Sequence, residues 1–183
     1  PLAHELLAKY KTIDGVLSAP VSELIKFKGI TENGAVLLKL IIPIARQCEI
    51  EKSNKLIKSL TPQNYGDYLM SRFYGLDLEH FGILSLDALG NIIDFKLFTQ
   101  NSNTQVGITT KESLKFILNT NAVCAVIAHN HPNGYALPSK TDIDTTVSFA
   151  ASLSRVNVRL LDHIIIAGQD YVSMAQSKDY SYI

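Results

Sequence analysis

Residues 128–142 read A-H-N-H-P-N-G-Y-A-L-P-S-K-T-D and hold two of the chain's five histidines. His129 and His131 stand two apart, so on an extended strand both side chains project from one face while Asn130 points to the other. Two imidazoles can then reach one ion. A serine, Ser139, and a carboxylate, Asp142, follow closely. Two histidines and an aspartate, with a fourth position left to water, make the ligand set of a catalytic zinc, because a structural zinc fills all four positions with protein atoms. Each part also has a plain reading. A single buried histidine is commonly a satisfied core residue, and serine with a carboxylate three residues on is a helix capping box.

Such a site needs a strand to present the histidines and a helix to return the carboxylate. The run Ala122 to Ala128 is continuously apolar and rich in β-branched residues, the pattern of a strand buried on both faces. Pro132 cannot donate to a sheet ladder and ends it, and Asn133-Gly134 supplies turn geometry. Ser139 then stands as an N-cap before the helical spacing of Ile143, Val147, Ala150 and Leu153, which puts Asp142 in the first turn. Asp144 competes for the same role. Two residues along a helix turn a side chain to nearly the opposite face, so only one of the two aspartates can bind a given ion.

The rest of the chain divides into a small all-α part and a larger α/β part. Residues 1–48 predict short helices over Leu2–Tyr10 and Val21–Phe27 and a longer one over Glu32–Gln47, with Gly29 between the last two. Residues 49–60 are charged and polar and read as a linker. From 61 to 183 the pattern is that of one domain. Thr61-Pro62 opens a helix whose Tyr65, Tyr68, Leu69 and Phe73 share a face, more simply a core stripe than a stacking platform. A hairpin follows, with strands over Glu79–Asp87 and Ile92–Phe98, then a polar loop at 101–107 and a helix opened by a capping box from Thr109 to Glu112. The buried strand, the site loop and its helix come next, and strands over Val156–Ala167 and from Tyr171 close the chain. Strands interleaved with helices predict a mixed sheet flanked by helices. Asp162 and His163 precede the apolar run Ile164–Ile166, where one of them could orient a ligand histidine or both could form a structural core pair.

Composition narrows the setting. A hydrophobic content of 46% over 183 residues allows a proper core, and a formal net charge of zero announces neither nucleic acid nor an anionic membrane, so such partners would need a local patch. The two cysteines, Cys48 and Cys124, make no disulfide framework, which fits a reducing cytoplasm. The longest apolar stretch, Leu37–Ala45, is broken by Lys39 and Pro43 and is too short to span a bilayer. Charged residues interrupt any leader-like run at the start, and the opening residue, Pro1, points to a processed product or a fragment.

The spacing His-x-His, seven residues, Ser, two residues, Asp resembles the signature of the JAMM (JAB1/MPN) metalloprotease fold, which His129, His131, Ser139 and Asp142 match position by position. Within that superfamily the wording of residues 129–134, of Pro138-Ser139 and of 161–166 resembles the RadC proteins, called DNA repair proteins by tradition. The resemblance covers about Glu79 to Tyr171, and more weakly the first 48 residues. It implies a JAMM, cytidine-deaminase-like fold, one zinc ion per chain held by His129, His131 and Asp142 rather than Asp144, and hydrolysis of a peptide or isopeptide amide in a peptide or protein substrate. The superfamily takes its general base from a glutamate on an early strand. Seven glutamates are present, five of them lie in the N-terminal region or linker, and Glu112 is already a capping residue, which leaves Glu79. Ser139 is implied as the oxyanion donor. A zinc nucleobase deaminase would want His-x-Glu and Pro-Cys-x-x-Cys, which the chain lacks. Residues 27–33 look like the turn of a helix-hairpin-helix unit, so a DNA-associated repair or recombination accessory protein, with the JAMM fold as scaffold, is the alternative. Such turns usually carry two glycines, and here Thr31 takes the place of the second.

Overall fold

The structure, a computed structural model, describes residues 1–56, 60–99, 110–132 and 134–177. The loop expected over 101–107, Thr109 of the expected capping box and Asn133 of the expected turn lie outside them. The chain forms two units, Pro1–Glu49 and Ile50–Ile183.

The first unit is helical, with α1 (Leu2–Tyr10), α2 (Ile13–Ser18), α3 (Val21–Leu24) and α4 (Glu32–Leu56), the last continuing beyond the unit's end. Leu6, Val16, Ala19, Leu24 and Ala35 form its buried core. The sequence pattern misses α2 because six residues show no helical period; Thr12 starts it, its hydroxyl accepting the Gly15 N–H at 2.9 Å. Gly29 has φ 101°, a left-handed value that favours glycine. Thr31, where a second glycine would stand, caps α4 by accepting the Gly34 N–H at 3.1 Å.

Helix α4 runs on through residues 49–56, within the stretch read as a linker. The polar composition has a tertiary reason. Asn54 Oδ1 accepts from the buried Arg72 guanidinium at 2.7 Å, and Arg72 also donates to the Tyr68 carbonyl and stacks on the Tyr68 ring. A buried cation needs such partners, and they come from residues that look like linker.

The second unit contains α5 (Tyr65–Phe73), β1 (His80–Leu86), β2 (Ile92–Thr99), α6 (Thr110–Asn119), β3 (Cys124–Asn130), α7 (Lys140–Ser154), β4 (Arg159–Ala167) and β5 (Asp170–Ser173). Its sheet has the order β2-β1-β3-β4-β5. Among the described residues only β3 and β4 pair in parallel, and α7 makes the crossover between them. Every residue of β3 is buried, as its unbroken apolar run requires. On one face Cys124, Val126 and Ala128 pack with Tyr65, Tyr68, Leu69 and Phe73 of α5. On the other, Ala125 and Ile127 pack with Ile117 of α6 and Phe149 and Leu153 of α7. Each fully buried Ile or Leu among these contributes about 2 kcal/mol by leaving water. The aromatic stripe of α5 is thus core.

One irregularity decides what faces α7. The β3–β4 register shifts between Ala125 and Val126, so Ala125 pairs with Leu160 but Val126 with Asp162. Leu161 is the extra residue. A one-residue slip exchanges the two faces of a strand. Beyond it, Asp162 shares the face of Val126 and His163 that of Ile127 and His129.

Candidate metal centre

The C-terminal end of β3 and the first turn of α7 meet where a parallel strand hands over to its crossover helix, a position where α/β sheets commonly bind ligands. His129 is the last but one residue of β3, and His131 extends the ladder by donating its N–H to the Ile166 carbonyl at 2.8 Å. Both rings consequently turn to the α7 side. Asp142 approaches from the helix.

The capping box and the ligand set are one arrangement. Ser139 caps α7, its Oγ accepting the Asp142 N–H at 3.2 Å. In return Asp142 Oδ2 accepts from the Ser139 N–H at 2.7 Å and from its hydroxyl at 2.6 Å. Those bonds fix the carboxylate and leave Oδ1 3.1 Å from His129 Nε2. Burial raises the Asp142 carboxyl pKa, but the hydrogen bond and charge of His129, with the two bonds from Ser139, outweigh it and hold the group well below the ordinary carboxylate range.

The three residues offer ligand atoms that all lie within 4.8 Å of one another. His129 Nε2 is 2.9 Å from His131 Nε2, and His131 Nε2 is 3.6 Å from Asp142 Oδ2. Around a tetrahedral zinc with bonds of about 2.0–2.1 Å, neighbouring ligand atoms stand roughly 3.3 Å apart. The trio therefore has the spacing of such a shell. His131 Nδ1 is 2.9 Å from the Tyr135 carbonyl, which can only accept, so Nδ1 carries the proton and the Nε2 lone pair is left for an ion. His129 Nδ1 faces His163 Nε2 at 2.8 Å, and His163 Nδ1 faces Thr146 Oγ1 at 2.5 Å. His163 is fully buried; burial first, and then the nearby His129 and His131, push its pKa well below the usual imidazole value against the opposing pull of Asp142.

Asp162 and His163 part company here. His163 touches a ligand histidine. Asp162, on the other face, accepts from Ser173 Oγ at 2.5 Å, the Ala175 N–H at 3.0 Å and the His163 N–H at 2.7 Å, and so ties β4 to the turn after β5.

Glu79 is exposed and stands immediately before β1. The β1–β3 ladder ends at the pair Phe81–His129, two residues from both Glu79 and His131. Asn130, pointing away from the ion, holds this segment: its Oδ1 accepts the His80 N–H at 2.8 Å and its Nδ2 donates to the Leu78 carbonyl at 3.0 Å. Glu79 is thus flanked on both sides by bonds to one residue of the His-x-His motif. Sequence reasoning noticed the direction of Asn130 but not this clamp, which joins residues 50 and 52 positions apart. It missed Thr146 altogether, although a polar residue one turn after Asp142 was a visible signal.

A five-stranded mixed sheet with helices on both faces and a His-His-Asp group at the mouth of its central strand defines a JAB/MPN-type α/β domain. The family model of the RadC-like JAB domain matches residues 59–179, and the chain belongs to this family. Similar proteins include a UPF0758 protein of Leptothrix cholodnii, 33% identical over 96% of this chain and 79% of its own length. UPF0758 protein FN0909 of Fusobacterium nucleatum is 30% identical over the same shares of both chains. UPF0758 protein SH1266 of Staphylococcus haemolyticus is 28% identical over 96% of this chain and 77% of its own. No helix among the described residues is long and apolar enough to cross a membrane.

Proposed function

We propose that this chain is a zinc-dependent hydrolase that cleaves a peptide or isopeptide amide bond. The observation that carries the reading is the convergence of His129 Nε2, His131 Nε2 and an Asp142 oxygen, with the outer nitrogen of each imidazole engaged elsewhere. A zinc ion held there would supply Lewis acidity and lower the pKa of a water to about 7. Glu79 is the assigned general base and acid. Its support is its place two residues before the Phe81–His129 pair and the Asn130 clamp on its neighbours. A carboxylate so placed takes a proton from the attacking water and returns it to the leaving amine. Ser139 is the assigned oxyanion donor. Its hydroxyl rests on Asp142 Oδ2, and turning it toward a substrate carbonyl leaves the Ser139 N–H to hold the carboxylate. Leu78, Tyr135 and Leu137 are exposed beside Glu79, His131 and Ser139 respectively, which favours a substrate with apolar side chains near the scissile bond.

The test is metal analysis of the purified protein together with cleavage of a quenched-fluorophore peptide library. One zinc per chain is expected, with cleavage reduced at least about a hundred-fold in Glu79→Gln. Absence of stoichiometric zinc, or a demonstrated cleavage that Glu79→Gln leaves unchanged, sinks the proposal.

A further inference from the structure

We infer that Thr146 and His163 are positioning residues that fix the tautomer of His129 through a directed hydrogen-bond relay, and so keep its Nε2 lone pair turned to the metal. The inference rests on the metal-binding reading of the site but concerns only this chain's own protons.

The direction follows from counting hydrogens. Thr146 Oγ1 lies 2.6 Å from the Asp142 main-chain carbonyl, which can only accept. Two oxygens that close with no proton between them repel, so the single hydroxyl hydrogen lies there. The more distant Met174 Sδ, at 3.7 Å, also only accepts, so it could not reverse the relay. Toward His163 Nδ1, at 2.5 Å, the hydroxyl then offers lone pairs alone, and Nδ1 must carry the ring proton. In the neutral imidazole His163 Nε2 is therefore bare and accepts from His129 Nδ1 at 2.8 Å. His129 Nδ1 therefore carries a proton, so Nε2, which faces His131 Nε2 and Asp142 Oδ1, is the ring nitrogen whose lone pair an ion can take.

The fold supplies the parts from two elements. Thr146 is one turn beyond Asp142 on α7, so one helix carries both a ligand carboxylate and the anchor of the relay. His163 reaches the correct face only because of the bulge at Leu161. A metal-bound histidine usually donates to a carboxylate, a main-chain carbonyl or a water. Here the acceptor is a neutral imidazole whose own proton must be held in place, which is why the threonine hydroxyl matters.

The test reads ring-nitrogen protonation by long-range proton–nitrogen NMR on the metal-free, nitrogen-15-labelled chain, at one pH about 8, above the ordinary imidazole pKa of about 6.5. The expected spectrum has a protonated Nδ1 in both His129 and His163 and a pyridine-type Nε2 in His163. Thr146→Val, which keeps shape and removes the hydroxyl, is expected to mix the two tautomers of both rings. It should also weaken zinc binding about ten-fold or more in competition with a chelator, as loss of an outer hydrogen-bond partner does. Thr146→Ser is expected to restore both. A bare Nδ1 in either His129 or His163 of the unaltered chain overturns the inference, and that spectrum needs no variant to fold. So does a Val variant with unchanged tautomers and unchanged affinity. Correct tautomers in a chain that binds no zinc support the relay while sinking the hydrolase reading, so the two can fail separately.

Discussion

Asp162 and His163 are adjacent on β4 and each is only 1% exposed, yet they do different work. Asp162 faces α5 and accepts three hydrogen bonds, two of which pin the end of β5 and the turn after it. His163 faces α7 and joins a helix hydroxyl to a ligand histidine. The same contrast recurs at the end of β3, where His129 turns to the ion site and its neighbour Asn130 turns away to hold Leu78 and His80. Burial of a polar side chain therefore does not announce its purpose. The face of the strand does, because one face closes the structure and the other opens on the site.

That contrast can be broken from either side. The largest effect is expected for His129→Ala, which removes a ligand outright: stoichiometric zinc binding, followed by calorimetric titration, should be lost while the metal-free chain keeps its fold. Asp162→Ala should do the reverse. Its three donors are left without their acceptor, costing about 3 kcal/mol or more in urea unfolding, and the fraction that remains folded should bind zinc with unaltered affinity. If Asp162→Ala abolished zinc binding in a fully stable protein, the division of labour between the faces would collapse. Asn130→Ala lies between them. Loss of the clamp should cost roughly 1–3 kcal/mol and lower any measured cleavage, with zinc content unchanged, because the segment that carries Glu79 is freed and the ligands are not.

The smallest effect belongs to the helical unit. Hydrogen bonds and charge from Lys26, then Lys9, lower the Glu23 pKa to about 2 from its ordinary 4.5. A depressed folded-state value means that the stabilisation is present above pH 4.5 and fades as pH falls through about 2. Glu23→Gln should accordingly lower the urea midpoint slightly at pH 7 and make no difference once the unaltered glutamate is protonated. Glu23 and its two lysines lie at the surface, so added salt should shrink the difference further.

Much of the second unit was legible because its signals are local. The apolar run of β3, the Asn-Gly-rich site loop and the Ser139 cap fix strand, loop and helix in order, and the strand period alone puts His129 and His131 on one side. The stripe of Tyr65, Tyr68, Leu69 and Phe73 was equally readable as core. What failed was also local in cause. The short helix α2 has too few residues for a period, and residues 49–56 look like linker because the buried Arg72 that engages Asn54 lies 18 positions on.

The sequence by itself determined which residues could hold an ion, since ligand chemistry and strand alternation are properties of residue type and spacing. Only the tertiary structure decided how those residues are held. The bulge at Leu161 sends His163 rather than Asp162 toward the ligands, Asn130 holds the residues on either side of Glu79, and Thr146 stands one turn beyond Asp142 on α7. Register and bulges arise from pairing between strands distant along the chain. A hydrogen bond likewise needs two groups within about 3 Å, and a linear sequence does not contain that distance.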